Sequence, residues 1–527
     1  METSGERAGA TVSLWERTAK KFRSARLAEN ATTEVCVVGA GIAGVTTAYL
    51  LARENRQVVL IDDGPVGGGM TGRTTAQFVT LVDDGYEKIE KILGEEWARL
   101  CAESQMAAID RVESIVNAEK IDCDFERVDG YLFLPPGGSV TDLKRELEAI
   151  HRAGLRDSER IDRIPIGKFS TDGVLRIPRQ AQFHPLKYLN ALAQRIVDLG
   201  GRIFTGTRVV KVEDSDRVKI ETSDGRTITA NAAVIATNCP INDRLVIHSK
   251  QAPYATYVVG LRVTREVGRV LLWDTAMTAE EEEQKLGPIS YHYIRFARDE
   301  TGDVLIVGGE DHKTGQESDC EERFAKLERW TRDHFPFVGE VTDRWSGQVM
   351  EPVDGVAYIG RNPGDKNVYI VTGDSGNGMT HGTIAGMLIV DLIADRENPW
   401  TKLYDPARKT LKASVIADYI SENANVAAQL RDYVTPGDAP SAGKIKNGEG
   451  AVLRDGANKI AAYRDETGTL HKFSAVCPHL KCIVRWDICE KTWDCPCHGS
   501  RFDAVGRVLN GPAISDLERL ELLEKRL

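Results

Sequence analysis

From Glu34 onward the apolar positions first run unbroken and then fall at helical spacing. Val35-Cys36-Val37-Val38 is continuous, Val45 to Asn55 follows a period near 3.6, and Val58-Val59-Leu60-Ile61 is continuous again. Strand, helix, strand at this length predicts a βαβ unit whose parallel strands are covered on both faces. Residues 83–118 carry Ile89, Ile92, Leu93, Trp97, Leu100, Ala107 and Ile109 at helical intervals. Asp122–Leu134 and Ser290–Gly308 contain short alternating runs, which predict antiparallel strands. Lying between segments that return to the first sheet, they predict a second domain with discontinuous boundaries. Residues 396–433 are rich in helix formers and lead to a Pro/Gly/Ser stretch that ends at Gly443. Beyond it, Ala451-Val452-Leu453 and Ile460-Ala461-Ala462-Tyr463 predict short strands.

The reading is therefore a polar leader over 1–32, with Ser13-Leu14-Trp15 as a candidate anchor. An α/β body over 33–395, a helical connector over 396–437 and a small all-β module over 438–527 follow. With 527 residues, three or four domains are expected. The balance of 68 Lys+Arg against 79 Asp+Glu gives a net charge of −11, which argues against a nucleic-acid or anionic-lipid partner. No apolar run approaches the roughly 18–20 residues of a membrane span. Met1 to Asn30 lacks the apolar stretch of a secretory signal, so a cytoplasmic location is expected. Cysteine usage is uneven: Cys477, Cys482, Cys489, Cys495 and Cys497 fall within 21 residues, while Cys36, Cys101, Cys123, Cys239 and Cys320 are scattered. A dense cluster late in a long chain reads as a metal site rather than a disulfide scaffold.

The first turn of the βαβ unit is Gly39-x-Gly41-x-x-Gly44, with Ile42 and Ala43 opening the helix. Gly39 permits the tight turn, Gly41 lets backbone approach a pyrophosphate, and Gly44 lets helix and strand close up. The helix N-terminus adds free N–H groups for the anion. Asp62, at the end of the second strand, is suited to accept a ribose 2′-OH, which points to FAD or NAD rather than NADP.

A second glycine loop follows: Asp62-Asp63-Gly64-Pro65-Val66-Gly67-Gly68-Gly69-Met70-Thr71-Gly72-Arg73-Thr74-Thr75. Here the sequence resembles the D-amino-acid oxidase/glycine oxidase/sarcosine oxidase superfamily of FAD enzymes. The resemblance continues through Gln182-Phe183-His184-Pro185, Gly200-Gly201-Arg202-Ile203 and Thr207-Arg208-Val209, where the family's valine backbone meets the adenine. It then takes in Ala236-Thr237-Asn238, in place of the usual Ala-Thr-Gly, and Asp354-Gly355-Val356-Ala357-Tyr358-Ile359-Gly360. Last comes Asp374-Ser375-Gly376-Asn377-Gly378-Met379-Thr380, with a helix expected near Thr383 that would aim N–H groups at the flavin's pyrimidine edge. It implies non-covalent FAD, bound by segments at about 33–80, 181–240 and 350–395. The substrate domain would be α+β and occupy about 81–180 and 241–349.

In the cysteine cluster, Cys477-Pro478-His479 and Cys495-Pro496-Cys497-His498 are separated by fifteen residues. Two thiolates and two imidazoles could hold tetrahedral zinc, or the two irons of a [2Fe-2S] centre. Both boxes resemble Rieske proteins, closely those of cytochrome bc-type complexes. That resemblance implies Cys477, His479, Cys495 and His498 as ligands, and a disulfide between Cys482 and Cys497. It also gives Gly511-Pro512 as the loop over the cluster and Ser500 as a donor to a cluster sulfur. Cys489 is left as a loop thiol. Phe502 stands where high-potential relatives carry a tyrosine, so a middle or lower Rieske potential is expected.

Together the resemblances imply an oxidoreductase that takes electrons from an amine or amino-acid-like substrate at the flavin. The electrons would then pass singly through the cluster to an external partner, a protein or a quinone. The alternative is a redox shuttle or sensor, or a flavin reductase fed through the cluster. His184, His292, His312 and His381 show no oxygenase-type metal spacing and read as structural or pocket residues. His381 and Arg295 could each orient a substrate group. No catalytic acid or base is assigned.

Overall fold

The computed structural model describes residues 8–135, 138–169, 171–242, 246–274 and 291–520. The apolar run Ala31–Val38 is the centre of a parallel sheet, flanked by Val58–Ile61 on one side and Thr227–Ile235 on the other. Arg202–Phe204 extends the sheet beyond Val58–Ile61, and Val368–Thr372 extends it beyond Thr227–Ile235. Tyr358–Arg361 closes that edge antiparallel. The helices Ile42–Arg53 and Gly378–Ile393 cross on one face of this sheet. Gly382 and Gly386 make the crossing possible: a Cβ on either would stand 2.5–2.6 Å from Ile42 or Thr46 side-chain carbon.

This contact corrects the helix start expected near Thr383. The helix begins at Gly378, because close packing on Ile42–Arg53 overrides the poor helix propensity of its glycines. A second sheet of nine strands gathers Glu126–Phe133, Val174–Gln182, Gln251–Val263, His292–Asp299, Gly302–Lys313 and Val338–Pro352 among others. It stands against the first, with the cavity described below between them.

The early residues lie on the body. Leu14 and Trp15 are buried in its core, Ser13 caps the helix Leu14–Thr18, and Trp15 Nε1 donates to the Thr74 carbonyl at 2.6 Å. The helix Ala413–Ala428 runs along the body, where Lys313 pairs with Glu422 at 2.6 Å. The last 80 or so described residues form two small sheets, of three strands (Glu449–Ser474) and four strands (Arg485–Asn510). No helix among the described residues is long and apolar enough to cross a membrane.

Candidate functional site

The strand ends and both helix N-termini open onto one cavity of about 1450 Å³. At one end the glycine turn is tightly built: Gly39 has φ +103°, and a Cβ on Gly44 would lie 1.8 Å from the Gly39 carbonyl oxygen. Asp62 holds this turn, accepting from Ala40 N at 2.6 Å and Gly64 N at 2.7 Å. Burial, reinforced by the Asp63 carboxylate, raises Asp62 to about 7, against the pull of those two amides. Thr71 Oγ1 accepts from Ile42 N at 3.0 Å, which brings the second glycine loop over the helix N-terminus. Ala43, Asp63, Gly69, Thr74, Thr75 and Val209 also line this part of the cavity.

Asn238 has φ +62°, the left-handed conformation that explains why glycine is usual there and why asparagine is the substitute. Its Nδ2 is buried with no protein partner, and Thr237 lies beside it on the cavity wall. Asp374, Gly376, Asn377, Gly378 and Met379 line the opposite side. Asn377 also acts as a strut, accepting from Asp83 N and donating to the Leu81 carbonyl. Gly44 and Thr380 stand behind the wall; Thr380 is fully buried.

Arg73 lies at the wall, but its guanidinium points away from the nucleotide end. It forms a buried ion pair with Glu490 at 3.0 Å and donates to the Ser346 and Thr11 carbonyls. A cradle of backbone amides and close-packed glycines, with a carboxylate at the strand end and an unpaired amide across from it, fits a dinucleotide.

The other end of the cavity is lined by Asp83, Asp311, Glu351, Tyr254, Tyr291 and Tyr293. None of these was singled out by sequence; each is isolated along the chain, and the i, i+2 spacing of Tyr291 and Tyr293 was the one available signal. Arg295 does not reach this chamber. Burial holds its guanidinium to about 9, and it donates to the carbonyls of Ala76, Phe183 and Phe296 beneath Trp15. His381 lines the cavity, but both ring nitrogens are engaged: its Nδ1 donates to the Asp374 carbonyl, its Nε2 faces Gln105, and burial lowers it to about 4. His184 caps the helix Pro185–Asp198, His292 pairs with Asp274, and His312 accepts from the Tyr257 hydroxyl.

The two cysteine boxes form facing knuckles. Cys477 N donates to the Cys482 carbonyl at 2.8 Å, and Cys495 N to the Ser500 carbonyl at 2.8 Å. Cys482 and Cys497 are disulfide-bonded across them, while Cys477 and Cys495 are buried free thiols. The Cys495 thiol donates toward Cys477, and with help from the His479 amide and the Ser500 hydroxyl it lowers the Cys477 pKa despite burial. Ser500 Oγ also accepts from Ala513 N at 3.0 Å, fastening the Gly511-Pro512 loop. The His479 and His498 rings meet edge to face, centroids 5.1 Å apart. His498 Nδ1 is buried without a partner, and burial holds the ring neutral, down to about 3. Two buried free thiols tied by facing knuckles and a buried imidazole with an orphaned nitrogen are the donors ligation requires, so this set fits a two-iron centre.

Cys489 is not a loop thiol. It is disulfide-bonded to Cys320 on the helix Cys320–His334, linking the small module to the body. Spacing could not show this, because 169 residues separate the two. The histidine edge of the module faces the body as well. His248 stacks edge-on against both His479 (5.1 Å) and His498 (6.0 Å). Gln348 Nε2 donates to the Gly499 carbonyl at 3.0 Å, and Gln348 itself lines the cavity.

A family model described as FAD dependent oxidoreductase (DAO) matches residues 34–392, and one described as Rieske [2Fe-2S] domain matches residues 438–521. The Bacillus subtilis protein YhfW, whose name describes a Rieske 2Fe-2S iron-sulfur protein, is 31% identical over 501 residues, covering 94% of this chain and 95% of its own. Gamma-glutamylputrescine oxidoreductase of Escherichia coli is 24% identical over 397 residues, covering 73% of this chain and 89% of its own. Among solved structures, glycine oxidase from Geobacillus kaustophilus superposes with a TM-score of 0.57 at 18% identity, covering 72% of this chain and all of that one.

Proposed function

Because the chain belongs to the FAD dependent oxidoreductase family and carries a Rieske [2Fe-2S] domain, we propose that it is an amine or amino-acid dehydrogenase with an internal relay. Its cofactors are FAD and a [2Fe-2S] cluster. When bound, they supply a two-electron hydride acceptor and a one-electron carrier respectively. In net terms a CH–NH group becomes C=NH⁺, releasing one proton and two electrons. The electrons leave to two equivalents of a one-electron acceptor, a protein or a quinone.

The observation that carries this reading is the docking of the histidine edge. His498 is only 4% exposed, its carbonyl neighbour at Gly499 is held by Gln348, and Gln348 is part of the FAD-side cavity wall. The chain's residues thus do three things. The glycine turn, Asp62 and the Gly376–Met379 turn hold and orient the nucleotide. Cys477, His479, Cys495 and His498 hold the cluster. Gln348 and His248 keep the two sites in contact.

The test is anaerobic mixing of the purified holoprotein with a panel of secondary amines and amino acids. Bleaching of the flavin band, followed by the EPR signal of a reduced Rieske centre, is expected. Reduction only by a protein donor, with no small molecule effective, would replace the reading with an electron shuttle.

A further inference from the structure

The chamber beyond the nucleotide end has a composition that selects its ligand. Asp83, Asp311 and Glu351 face one another across it, and Tyr254, Tyr291 and Tyr293 form the aromatic wall. Asp311 is 8% exposed; its Oδ2 accepts from the Tyr291 hydroxyl at 3.2 Å, and its Oδ1 has no partner. Glu351 accepts from Ser375 Oγ at 3.0 Å. Asp83 Oδ2 lies directly against Gly376, where even a methyl group would collide.

Among the described residues, little positive charge answers these carboxylates. Lys313 is paired with Glu422 and Lys88 with Asp84. Arg323, the cation nearest in effect to Asp311, is engaged by Asp319 and the Glu310 carbonyl. Burial first, and then the neighbouring carboxylates, raises Asp83 to about 8 and lifts Glu351 well above the usual range. Burial likewise raises Asp311 to about 7.

An α-amino acid brings a carboxylate that needs a cation or a set of donors. Here it would crowd a fourth acid onto three carboxyl groups whose negative forms burial already disfavours, and the buried arginines Arg295 and Arg323 are consumed by backbone carbonyls and Asp319. A second ammonium group finds the opposite: carboxyl groups that a neighbouring cation would ionise, and the rings of Tyr291 and Tyr293, while Tyr254 already carries the Lys313 ammonium at 6.0 Å. Resting on the reading above, we propose that the substrate is a di- or polyamine whose distal ammonium is held by Asp311 and Glu351 within the tyrosine wall, and not an α-amino acid.

Equilibrium binding separates this from the dehydrogenase reading. The holoprotein is titrated anaerobically by calorimetry with 1,4-diaminobutane, n-butylamine, glycine and sarcosine, and flavin absorbance is recorded in parallel. Diaminobutane is expected to bind at least tenfold more tightly than butylamine. Asp311→Asn, and separately Glu351→Gln, should shrink that ratio to threefold or less with FAD content unchanged; two variants guard against one that fails to fold. Equal affinity for the two amines, or tighter binding of glycine or sarcosine, overturns the proposal. Diaminobutane bound without flavin bleaching overturns the dehydrogenase reading and leaves the charge recognition standing. Bleaching by sarcosine with no diamine binding does the reverse.

Discussion

Glu490→Gln is the sharpest probe of how the Rieske domain is seated. The Glu490 carboxylate is fully buried and accepts from Arg73 Nη1 (3.0 Å), Ser346 N (3.1 Å), Ser346 Oγ (2.6 Å) and Thr11 Oγ1 (2.5 Å). Burial alone would raise its pKa; the charges of Arg73 and Arg501 outweigh that and bring it from 4.5 down to about 2. At about 1.36 kcal/mol per unit, the ionised form is favoured in the docked state by about 3 kcal/mol. Breaking a buried pair by removing one charge costs a similar roughly 3–5 kcal/mol, because the partner stays buried. The variant should therefore open this contact roughly a hundredfold more often. Hydrogen exchange at Ser346 N, which opens only when the contact does, reads that ratio directly. The sign with pH is fixed: a depressed carboxylate stabilises fully above about 4.5 and loses that stabilisation as pH falls toward 2. Melting curves of wild type and variant should accordingly converge across that window. Protection at Ser346 within threefold of wild type at neutral pH would refute the reasoning.

Three further outcomes are expected. Asp62→Ala removes the acceptor for two turn amides, and apoprotein reconstitution followed by flavin fluorescence should show FAD affinity lower by about ten- to a hundredfold, the worth of one charge-assisted bond. Peptide mapping without reductant should find Cys320 and Cys489 in one linked peptide, and Cys489→Ser should lower stability by at most about 5 kcal/mol, the chain-entropy limit for a loop this long. Phe502 is fully buried in the Rieske core, and Phe502→Tyr adds one hydroxyl there; a redox titration should find the cluster midpoint raised by about 65–130 mV, which an unchanged midpoint would contradict.

Local chemistry made the two cofactor families legible. Gly39 to Gly44 needs neighbours a few residues away, and the Cys-x-His and Cys-x-x-His boxes carry their geometry in their spacing, so both could be read along the chain. The substrate chamber could not, because Asp83, Asp311 and Glu351 come from a loop and two strands far apart, and only the folded sheet turns them to one space. The helix start near Gly378 was hidden for a related reason: glycine reads as loop until a partner helix needs its missing side chain.

The seating of the two domains was hidden most completely, and its logic is local in space rather than in sequence. Cys489 and Glu490 are adjacent, in the turn between the strands Arg485–Asp487 and Thr492–Asp494. One makes a covalent bond to Cys320 and the other an ion pair to Arg73, 417 residues away, while the Glu490 carbonyl accepts from Ala10 N. A single turn thus holds the early segment, the second glycine loop and the second sheet at once. The Cys495 knuckle joins the strands Thr492–Asp494 and Arg501–Asp503 of the same four-stranded sheet, so a rigid turn at one end sets where Gly499 meets Gln348 at the other. It follows that loosening the turn should slow electron passage without altering either cofactor's own spectrum, whereas damage to a knuckle should alter the spectrum first.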